Sequence, residues 1–549
     1  MEKLLRNRGV NANKTIYKHQ ILFNAAVLWQ QGDQPCSQPL ENEAGNVILL
    51  FNGDLYMKIL QNSHKSDTEY LFELIKKCES EDELLDVFRI ITGPFSIICY
   101  FQSKLYFARD SLGRNSLLLG KLEDNNWFLS SVLDPTGNTL QTIELPPLGL
   151  YSFDIITKHF KLYPYQSLEV HEHYKEQFSL VNLFLGDAIE LSANVILPNW
   201  MIKQNEIEFN FSFDTLDLVL ENYEQLFQRL LQHPEVLKAC DTFINLLSQS
   251  VKNRVEKKPN FCKDCVISMN HECHHSKLGI LFSGGVDCTL IAVLADKFID
   301  KLETIDLMNV SFEKASNKNP TDINWNVPDR LTGLQTLQDL KTLLPHRNWN
   351  FVEINIDRKE LNVNMKKLSS LVYPLNNILD ESLGAALYFA SRGHGITEKC
   401  LNYSSPCRVL LIGSGADELF GGYTRHRNAF RRRTPDNDLL KEELALDWVR
   451  LPGRNLARDD RVIGDNGITV RAPFIEENFV NFVQHLTPLQ RCYPELEPGI
   501  GDKLLLRLCA YKLGLTNCCQ LKKRALQFGS RIADSRQNAK DKSTFLNQI

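Results

Sequence analysis

The pentapeptide Ser283-Gly284-Gly285-Val286-Asp287 follows directly on the apolar run Leu278 to Phe282 and precedes a stretch with helical spacing. A strand that turns straight into a helix through two glycines commits this part of the chain to an α/β layer. Residues without a Cβ permit both the turn and a close approach of backbone N–H groups to an anion, and the helix dipole adds to the attraction. The spacing of Leu290, Ile291, Leu294 and Phe298 predicts one face packed on a sheet. The turn thus reads as a nucleotide phosphate site with Asp287 in the first helical turn. A carboxylate beside bound phosphates is repelled unless a cation intervenes, so Mg²⁺ is the expected partner of Asp287. The same residues also describe a plain glycine turn capped by Asp, because short glycine motifs recur by accident.

A length of 549 residues predicts more than one domain. With 43% hydrophobic and 23% charged residues, the chain has the composition of a globular protein able to bury substantial cores. The net charge of -5 offers no global attraction to nucleic acid or an anionic membrane, so neither is expected as a partner. No apolar run approaches the roughly 18 residues that span a bilayer, and the start lacks a signal-peptide core, so a cytoplasmic location is expected. The fourteen cysteines are scattered, which suits reduced thiols better than a disulfide framework.

Short strands are expected at Ile48 to Phe51, Phe95 to Phe101, Leu105 to Ala108, Trp127 to Ser130 and Gly149 to Phe153, with helices from Thr68 to Lys77 and Glu81 to Phe88. These residues, 1–165, form an expected first domain, and 166–235 an expected connection. Residues 236–535 form an expected second domain, in which strands at Leu278 to Phe282, Leu307 to Phe312, Phe351 to Ile356 and Arg408 to Ile412 alternate with helices. That order implies a parallel sheet. The stretch 435–528 reads as helical and 536–549 as a polar tail.

The strand Arg408 to Ile412 runs into a second glycine loop, Gly413-Ser414-Gly415-Ala416-Asp417-Glu418-Leu419-Phe420-Gly421-Gly422-Tyr423. In a parallel sheet both loops leave the carboxyl ends of their strands, so Asp287 and Asp417 are expected to face one ligand and hold one metal. Together the two loops resemble those of the glutamine-hydrolysing asparagine synthetases. Arg461, Val470-Arg471-Ala472-Pro473-Phe474-Ile475 and Lys523-Arg524-Ala525-Leu526-Gln527-Phe528-Gly529 resemble further segments of that family in the same order. Phe51-Asn52-Gly53-Asp54-Leu55-Tyr56, Gly93-Pro94-Phe95 and Ala108-Arg109-Asp110 with Gly113 resemble its glutamine amidotransferase domain. Val327-Pro328-Asp329-Arg330, Asn350 to Asn355 and Arg458 to Asp465 are similar to the branch of asparagine synthetase domain-containing proteins.

The resemblance implies an Ntn-type αββα amidotransferase-like domain followed by an α/β synthetase domain of the ATP-pyrophosphatase type. It implies ATP, Mg²⁺, aspartate, and glutamine or ammonia as ligands, and activation of the aspartate side chain as an acyl-adenylate. Ser283, Gly284, Gly285, Asp287, Cys288, Gly413, Ser414 and Gly415 are then expected to hold ATP. Asp287 and Asp417 are expected at the metal, with Lys523 and Arg524 at the departing pyrophosphate. Asn52, Gly53 and Arg471 are expected to bind substrate. A solvated helix end is the plainer reading of Lys523 and Arg524, and a hairpin turn that of Asn52-Gly53.

The chain departs from the family in both halves. Ser414 stands where active relatives carry a glutamate, and a hydroxyl lacks the basicity to take a proton from attacking ammonia. Cys288 replaces a serine. The chain starts Met1-Glu2, without the terminal cysteine that attacks glutamine in this amidotransferase class. Val27 and Ile90 fall near positions of an arginine and an aspartate that grip glutamine. Glutaminase activity is therefore not expected. A non-catalytic nucleotide-binding scaffold is the alternative, and adenylation of a nucleic-acid base is disfavoured by the acidic balance.

Cys262-Lys263-Asp264-Cys265, followed by His271, Cys273, His274 and His275, has ligands enough for one tetrahedral Zn²⁺. The second half is cramped for a paired knuckle, so the segment also reads as a disordered insertion. The basic run Arg425-His426-Arg427 with Arg431-Arg432-Arg433 reads as a solvated helix face before a phosphate or acidic-partner site. Arg458-Asp459-Asp460-Arg461 reads equally as a substrate-positioning group and as a salt-bridge knot.

Overall fold

The computed structural model describes residues 2–60, 64–123, 126–135, 139–186, 188–202, 208–219, 222–266, 273–313, 324–432, 437–533 and 541. In the strand Val47–Gly53 every residue from Val47 to Phe51 is apolar, so both faces of its sheet require cover. Val47, Leu49 and Phe51 pack against Leu71, Ile75, Leu84 and Phe88 of the helices Asp67–Lys76 and Glu81–Ile90. Ile48 and Leu50 face the other way, toward Phe23, Trp127 and Leu129 of a second layer of strands. The same alternation sends Ile97, Cys99 and Phe101 to the helices and Ile98 and Tyr100 to the second layer. Ser66 and Glu69 close a capping box at the first of these helices, which starts it where the sequence turns from polar to apolar.

The main sheet has seven strands in the order Ile189–Leu191, Phe160–Pro164, Gly149–Asp154, Lys104–Arg109, Phe95–Phe101, Val47–Gly53 and Leu40–Glu41. The second layer is a hairpin, Ala12–Lys18 with Ile21–Val27, and a three-stranded sheet of Trp127–Ser130, Leu118–Leu122 and Thr139–Glu144. This is the amidotransferase-like half.

The stretch 166–235, expected as a connection with some structure of its own, contributes to both halves. Its strand Ile189–Leu191 joins the main sheet in parallel with Phe160–Pro164, and helix Glu172–Phe184 buries Val181 and Phe184 in the same half. Helix Tyr223–Gln232 instead places Leu226, Phe227 and Leu230 in the core of the second half. Residues 536–549, expected as a polar tail, lie outside the described residues apart from Asp541.

The second half is built on five parallel strands in the order Trp349–Ile356, Ile305–Phe312, Leu278–Leu281, Val409–Leu411 and Thr469–Arg471. Leu278, Ile280, Leu307 and Leu411 serve one core, and Met308, Val310, Ile354 and Leu410 the other. The fifth strand, three residues within a stretch expected as helical, is held by its partner Val409–Leu411 rather than by its own pattern. The helix Val286–Asp296 is buried on nearly every side, against helix Pro234–Glu256 as well as the sheet, so its single apolar face was too narrow an expectation. Among the described residues, no helix is long and apolar enough to cross a membrane.

Buried ion pairs join the two halves. Arg471 grips Asp54 through two hydrogen bonds of 2.8 Å, Arg114 reaches Glu477 at 2.6 Å, Arg8 holds both oxygens of Asp460 at 2.9 Å, and Arg461 pairs with Glu144. The Arg471 and Asp54 side chains are 0% and 2% exposed. Removing one partner of such a pair leaves an uncompensated buried charge. Asp54→Ala is therefore expected to cost about 3–5 kcal/mol, read as a lower urea midpoint, and Asp54→Ala with Arg471→Met to recover part of the loss. A single variant as stable as the parent would show that water reaches the guanidinium.

Candidate active site

The strand order of the parallel sheet reverses at Leu278–Leu281 and Val409–Leu411, and the carboxyl ends of such neighbours open into a crevice. Both glycine loops emerge there. Gly284 has φ +79°, and a Cβ on it would fall 2.5 Å from the Thr332 carbonyl oxygen. Only glycine lets the loop lie on helix Pro328–Leu343, where the Thr336 hydroxyl donates to the Gly284 carbonyl at 2.9 Å. Gly285 caps helix Val286–Asp296, and Cys288 donates its thiol to the Gly285 carbonyl at 3.2 Å. In the second loop a Cβ on Gly422 would lie 2.0 Å from Asp417 Oδ1, so the absence of a side chain makes room for that carboxylate.

The loops line a cavity of about 450 Å³, within the usual range for small-molecule sites. Its wall brings together Ser283, Gly285, Asp287, Cys288, Gly413, Ser414, Gly415, Asp417, Lys523 and Arg524. Gly284 is turned onto the neighbouring helix instead. Asp329, Glu418, Arg458 and Asp459 are among the other charged residues of the wall, with Asp380, Arg425, Asp447 and Arg454.

Asp287 and Asp417 converge on Lys503, which the sequence did not single out. Its ammonium lies 3.0 and 2.7 Å from the two oxygens of Asp287 and 2.9 Å from Asp417 Oδ1. Lys503 has φ +56° and caps helix Leu504–Lys512, whose run of leucines gives no sign of a charged site. Burial opposes charge on Lys503, but Asp287 and Asp417 more than offset it and hold the ammonium above its ordinary range. Burial also acts to raise Asp417, yet Lys503 and Lys523 hold its carboxyl down at about 2. Asp287 is raised, by burial first and by Asp417 beside it, against the pull of Lys503.

Lys523 Nζ stands 3.5 Å from Asp417 Oδ2 and 4.5 Å above the Tyr423 ring, and Arg524 Nη1 lies 3.8 Å from Asp329 Oδ1. Both cations therefore face the cavity rather than ending a free helix. Asp417 Oδ1 is taken up by the Lys503 ammonium, whereas Asp329 Oδ2 is buried without a hydrogen bond. A hard carboxylate oxygen left without a donor at a cavity wall, with Asp417 Oδ2 on the same wall, fits a divalent cation such as Mg²⁺.

Arg458 bridges Asp380 and Asp459, each at 2.7 Å, in the cavity wall, whereas Asp460 and Arg461 turn away to Arg8 and Glu144. The tetrapeptide is thus a salt-bridge knot whose first half also faces the cavity. The basic run is divided: Arg425, in the cavity wall, and His426 hold Asp447 at 2.7 and 2.8 Å, and Arg427 caps the carbonyls of Pro494 and Leu496, whereas Arg431, which donates to the Glu495 carbonyl, and Arg432 are exposed. Arg433 lies outside the described residues.

A second cavity, of about 910 Å³, lies in the amidotransferase-like half, with Val27, Cys36, Asn52, Gly53 and Asp54 in its wall. Ile90 is exposed and is not part of that wall. The expectation that Arg471 binds substrate meets a different placement. Its guanidinium is taken up by Asp54 and the Arg254 carbonyl, and it lines neither cavity. Cys36 is the cysteine in the wall, and burial pushes its thiol up to about 11, with Glu69 and Asp67 adding to the rise against a hydrogen bond to Ser66.

Residues 24–135 match a glutamine amidotransferase domain and 353–439 an asparagine synthase domain. The chain is 40% identical to asparagine synthetase domain-containing protein CG17486 of Drosophila melanogaster, over 99% of this chain and 96% of that one. It is 36% identical to asparagine synthetase domain-containing protein 1 of Homo sapiens, over 96% and 91% of the two chains. A putative glutamine-hydrolysing asparagine synthetase of Methanocaldococcus jannaschii is 29% identical, over 81% and 65%. On a full-length match of that quality, joined to an amidotransferase-like half and a parallel-sheet half with both glycine loops at its switch point, the chain belongs to the family of asparagine synthetase domain-containing proteins.

Proposed function

We propose that the synthetase-half cavity binds ATP with Mg²⁺ and activates the side-chain carboxylate of aspartate for amide formation. The observation that carries this reading is the convergence of the Ser283 loop, the Asp287–Lys503–Asp417 group, Lys523 and Arg524 on one cavity. An aspartate carboxylate oxygen attacks the α-phosphorus, the bond to the β-phosphate breaks, and pyrophosphate leaves. Ammonia then attacks the acyl carbon of the adenylate, AMP departs with the bonding pair, and asparagine remains. Backbone N–H groups at the start of helix Val286–Asp296 suit the phosphates. Lys523 and Arg524 suit the charge that grows on pyrophosphate. Mg²⁺, when bound, would offset phosphate charge, and on this reading Asp287 and Asp417, which share Lys503, would hold it.

The nitrogen source on this reading is ammonia. A thiol raised to about 11 is a poor nucleophile near neutral pH, and Cys36 is the cysteine in the amidotransferase-half cavity wall. The chain is expected to form asparagine with ammonium and to form no glutamate from glutamine, as amino-acid analysis of the reaction mixture would show. Glutamate appearing at the rate of asparagine would overturn this nitrogen assignment.

A second reading, nucleotide binding without turnover, is favoured by Ser414, which supplies no anionic base at the cavity wall. Pyrophosphate release from ATP separates the two. On the enzymatic reading, aspartate stimulates release, and Asp287→Ala lowers the stimulated rate by about 10²-fold or more. ATP binding with no aspartate-dependent release in the parent chain would leave the binding reading.

Asp329 adds a pH dependence. Burial pushes its carboxyl up to about 7, which Arg524 and Lys523 only partly counter, whereas an unfolded aspartate titrates near 3.9. Between those values the folded chain binds more protons than the unfolded one, so this group makes stability fall as pH rises from about 4 through about 7. Asp329→Asn is expected to raise the urea midpoint at pH 8 more than at pH 4. An equal change at both pH values would show that the carboxyl is not desolvated.

A further inference from the structure

The cysteine-rich segment ahead of strand Leu278–Leu281 has no part in the proposed chemistry, yet its ligands are gathered. Cys262, Cys265, Cys273 and His275 place three Sγ atoms and a ring nitrogen within 4.8 Å of one another. His275 Nδ1 lies 3.4 Å from Cys262 Sγ, 3.4 Å from Cys265 Sγ and 3.8 Å from Cys273 Sγ. A tetrahedral zinc ion with Zn–S of about 2.3 Å and Zn–N of about 2.0–2.1 Å requires S···N edges of about 3.5 Å. Backbone amides are aimed at the sulfurs as well: Cys265 N–H donates to Cys262 Sγ and Cys262 N–H to Cys273 Sγ, both at 3.4 Å. Such bonds stabilise thiolate. Three thiols cannot all be satisfied by one disulfide, and none of the three cysteines is in one.

We propose that Cys262, Cys265, Cys273 and His275 form a structural zinc site that ties the amidotransferase-like half to the base of the parallel sheet. Four protein ligands leave no open position, which is the signature of a structural rather than a catalytic ion. The cramped spacing read from the sequence is met by Cys273 and His275, two residues apart, both reaching the group. His274 is exposed and outside the group, and His271 lies outside the described residues.

The surroundings say what the ion would fasten. Phe261 and Val266, which flank the first two ligands, pack on Trp29 of the first half. The Trp29 carbonyl accepts from buried Arg408, and Lys263 N–H donates to the Pro406 carbonyl at 2.8 Å. His275 is two residues before Lys277, whose carbonyl accepts from Arg408 N–H at 3.0 Å. The knuckle thus grips the amino ends of Leu278–Leu281 and Val409–Leu411, the two strands that carry the glycine loops at their other ends.

Metal analysis of the purified full-length chain, dialysed against a weak chelator, is expected to find about one zinc per chain. An organomercurial is expected to release it. Cys262→Ser and Cys273→Ser are each expected to lower retained zinc at least tenfold, while Cys78→Ser leaves it unchanged. Should those variants fail to fold, the parent chain reloaded with Co²⁺ still decides: thiolate-to-cobalt charge transfer with intense tetrahedral ligand-field bands supports the site. Less than a tenth of an equivalent of zinc in the parent after incubation with Zn²⁺, a cobalt spectrum without thiolate bands, or iron or copper in place of zinc would overturn it.

Discussion

The ammonium of Lys503, nearly free of solvent between Asp287 and Asp417, is the contact on which the synthetase half depends. Two half-buried carboxylates this close repel each other and lose hydration as well; without a cation one of them would take up a proton. Lys503 removes that conflict and in doing so fixes three elements at once: the first turn of helix Val286–Asp296, the glycine loop before Tyr423, and helix Leu504–Lys512. One turn along, Arg507 donates to the carbonyls of Cys519 and Leu521 at 2.8 and 2.9 Å, which positions the segment leading to Lys523 and Arg524. Asp287, Lys503, Asp417 and Lys523 are therefore one connected electrostatic unit at the cavity wall.

A second constraint couples the halves. Helix Ala457–Gly464 sends Arg458 and Asp459 to the synthetase cavity, while Asp460 lines the amidotransferase-half cavity and pairs with Arg8. Arg461, next in sequence, spans the same junction to Glu144 and Ser116 and also holds the carbonyls of Leu371 and Val372. Ionic groups desolvated on both sides tolerate little relative displacement, because each broken pair leaves a buried charge. The two cavities share a rigid wall, not a flexible linker.

What the sequence made legible follows from where local pattern and tertiary structure agree. The Ser283 and Gly413 loops were readable because glycine, strand and helix signals coincide in a few residues, and because Gly284 and Gly415 occupy left-handed backbone that few other residues adopt. The strand Phe95–Phe101 was readable because its apolar run has no helical period. Thr469–Arg471 was not, since three residues carry no period and the strand exists through its pairing. Lys503 escaped because its neighbours are leucines and its role depends on two residues more than 80 positions away in each case. Arg471 misled in the opposite direction: a family-like segment marked it as a substrate ligand, but its charge is consumed by Asp54 at the junction.

The same electrostatic unit bears on Ser414. On the proposed reading, the amine that attacks the adenylate must lose a proton, and a carboxyl with a pKa near the working pH is best matched to receive it. Glu418 lies in the cavity wall, and burial, with Asp417 next to it, pushes its carboxyl up to about 7. One of its oxygens accepts from the Tyr423 hydroxyl at 2.7 Å and from Asn455 Nδ2 at 3.3 Å, which orients the group without neutralising it. Asp459 is the less suited carboxyl, because Arg458 binds one of its oxygens through two nitrogens. A serine at 414 therefore removes one base from the loop, while on the proposed reading Glu418, four residues on in the same loop, offers a proton acceptor of suitable strength. The substitution by itself weighs less against turnover than the sequence position suggests.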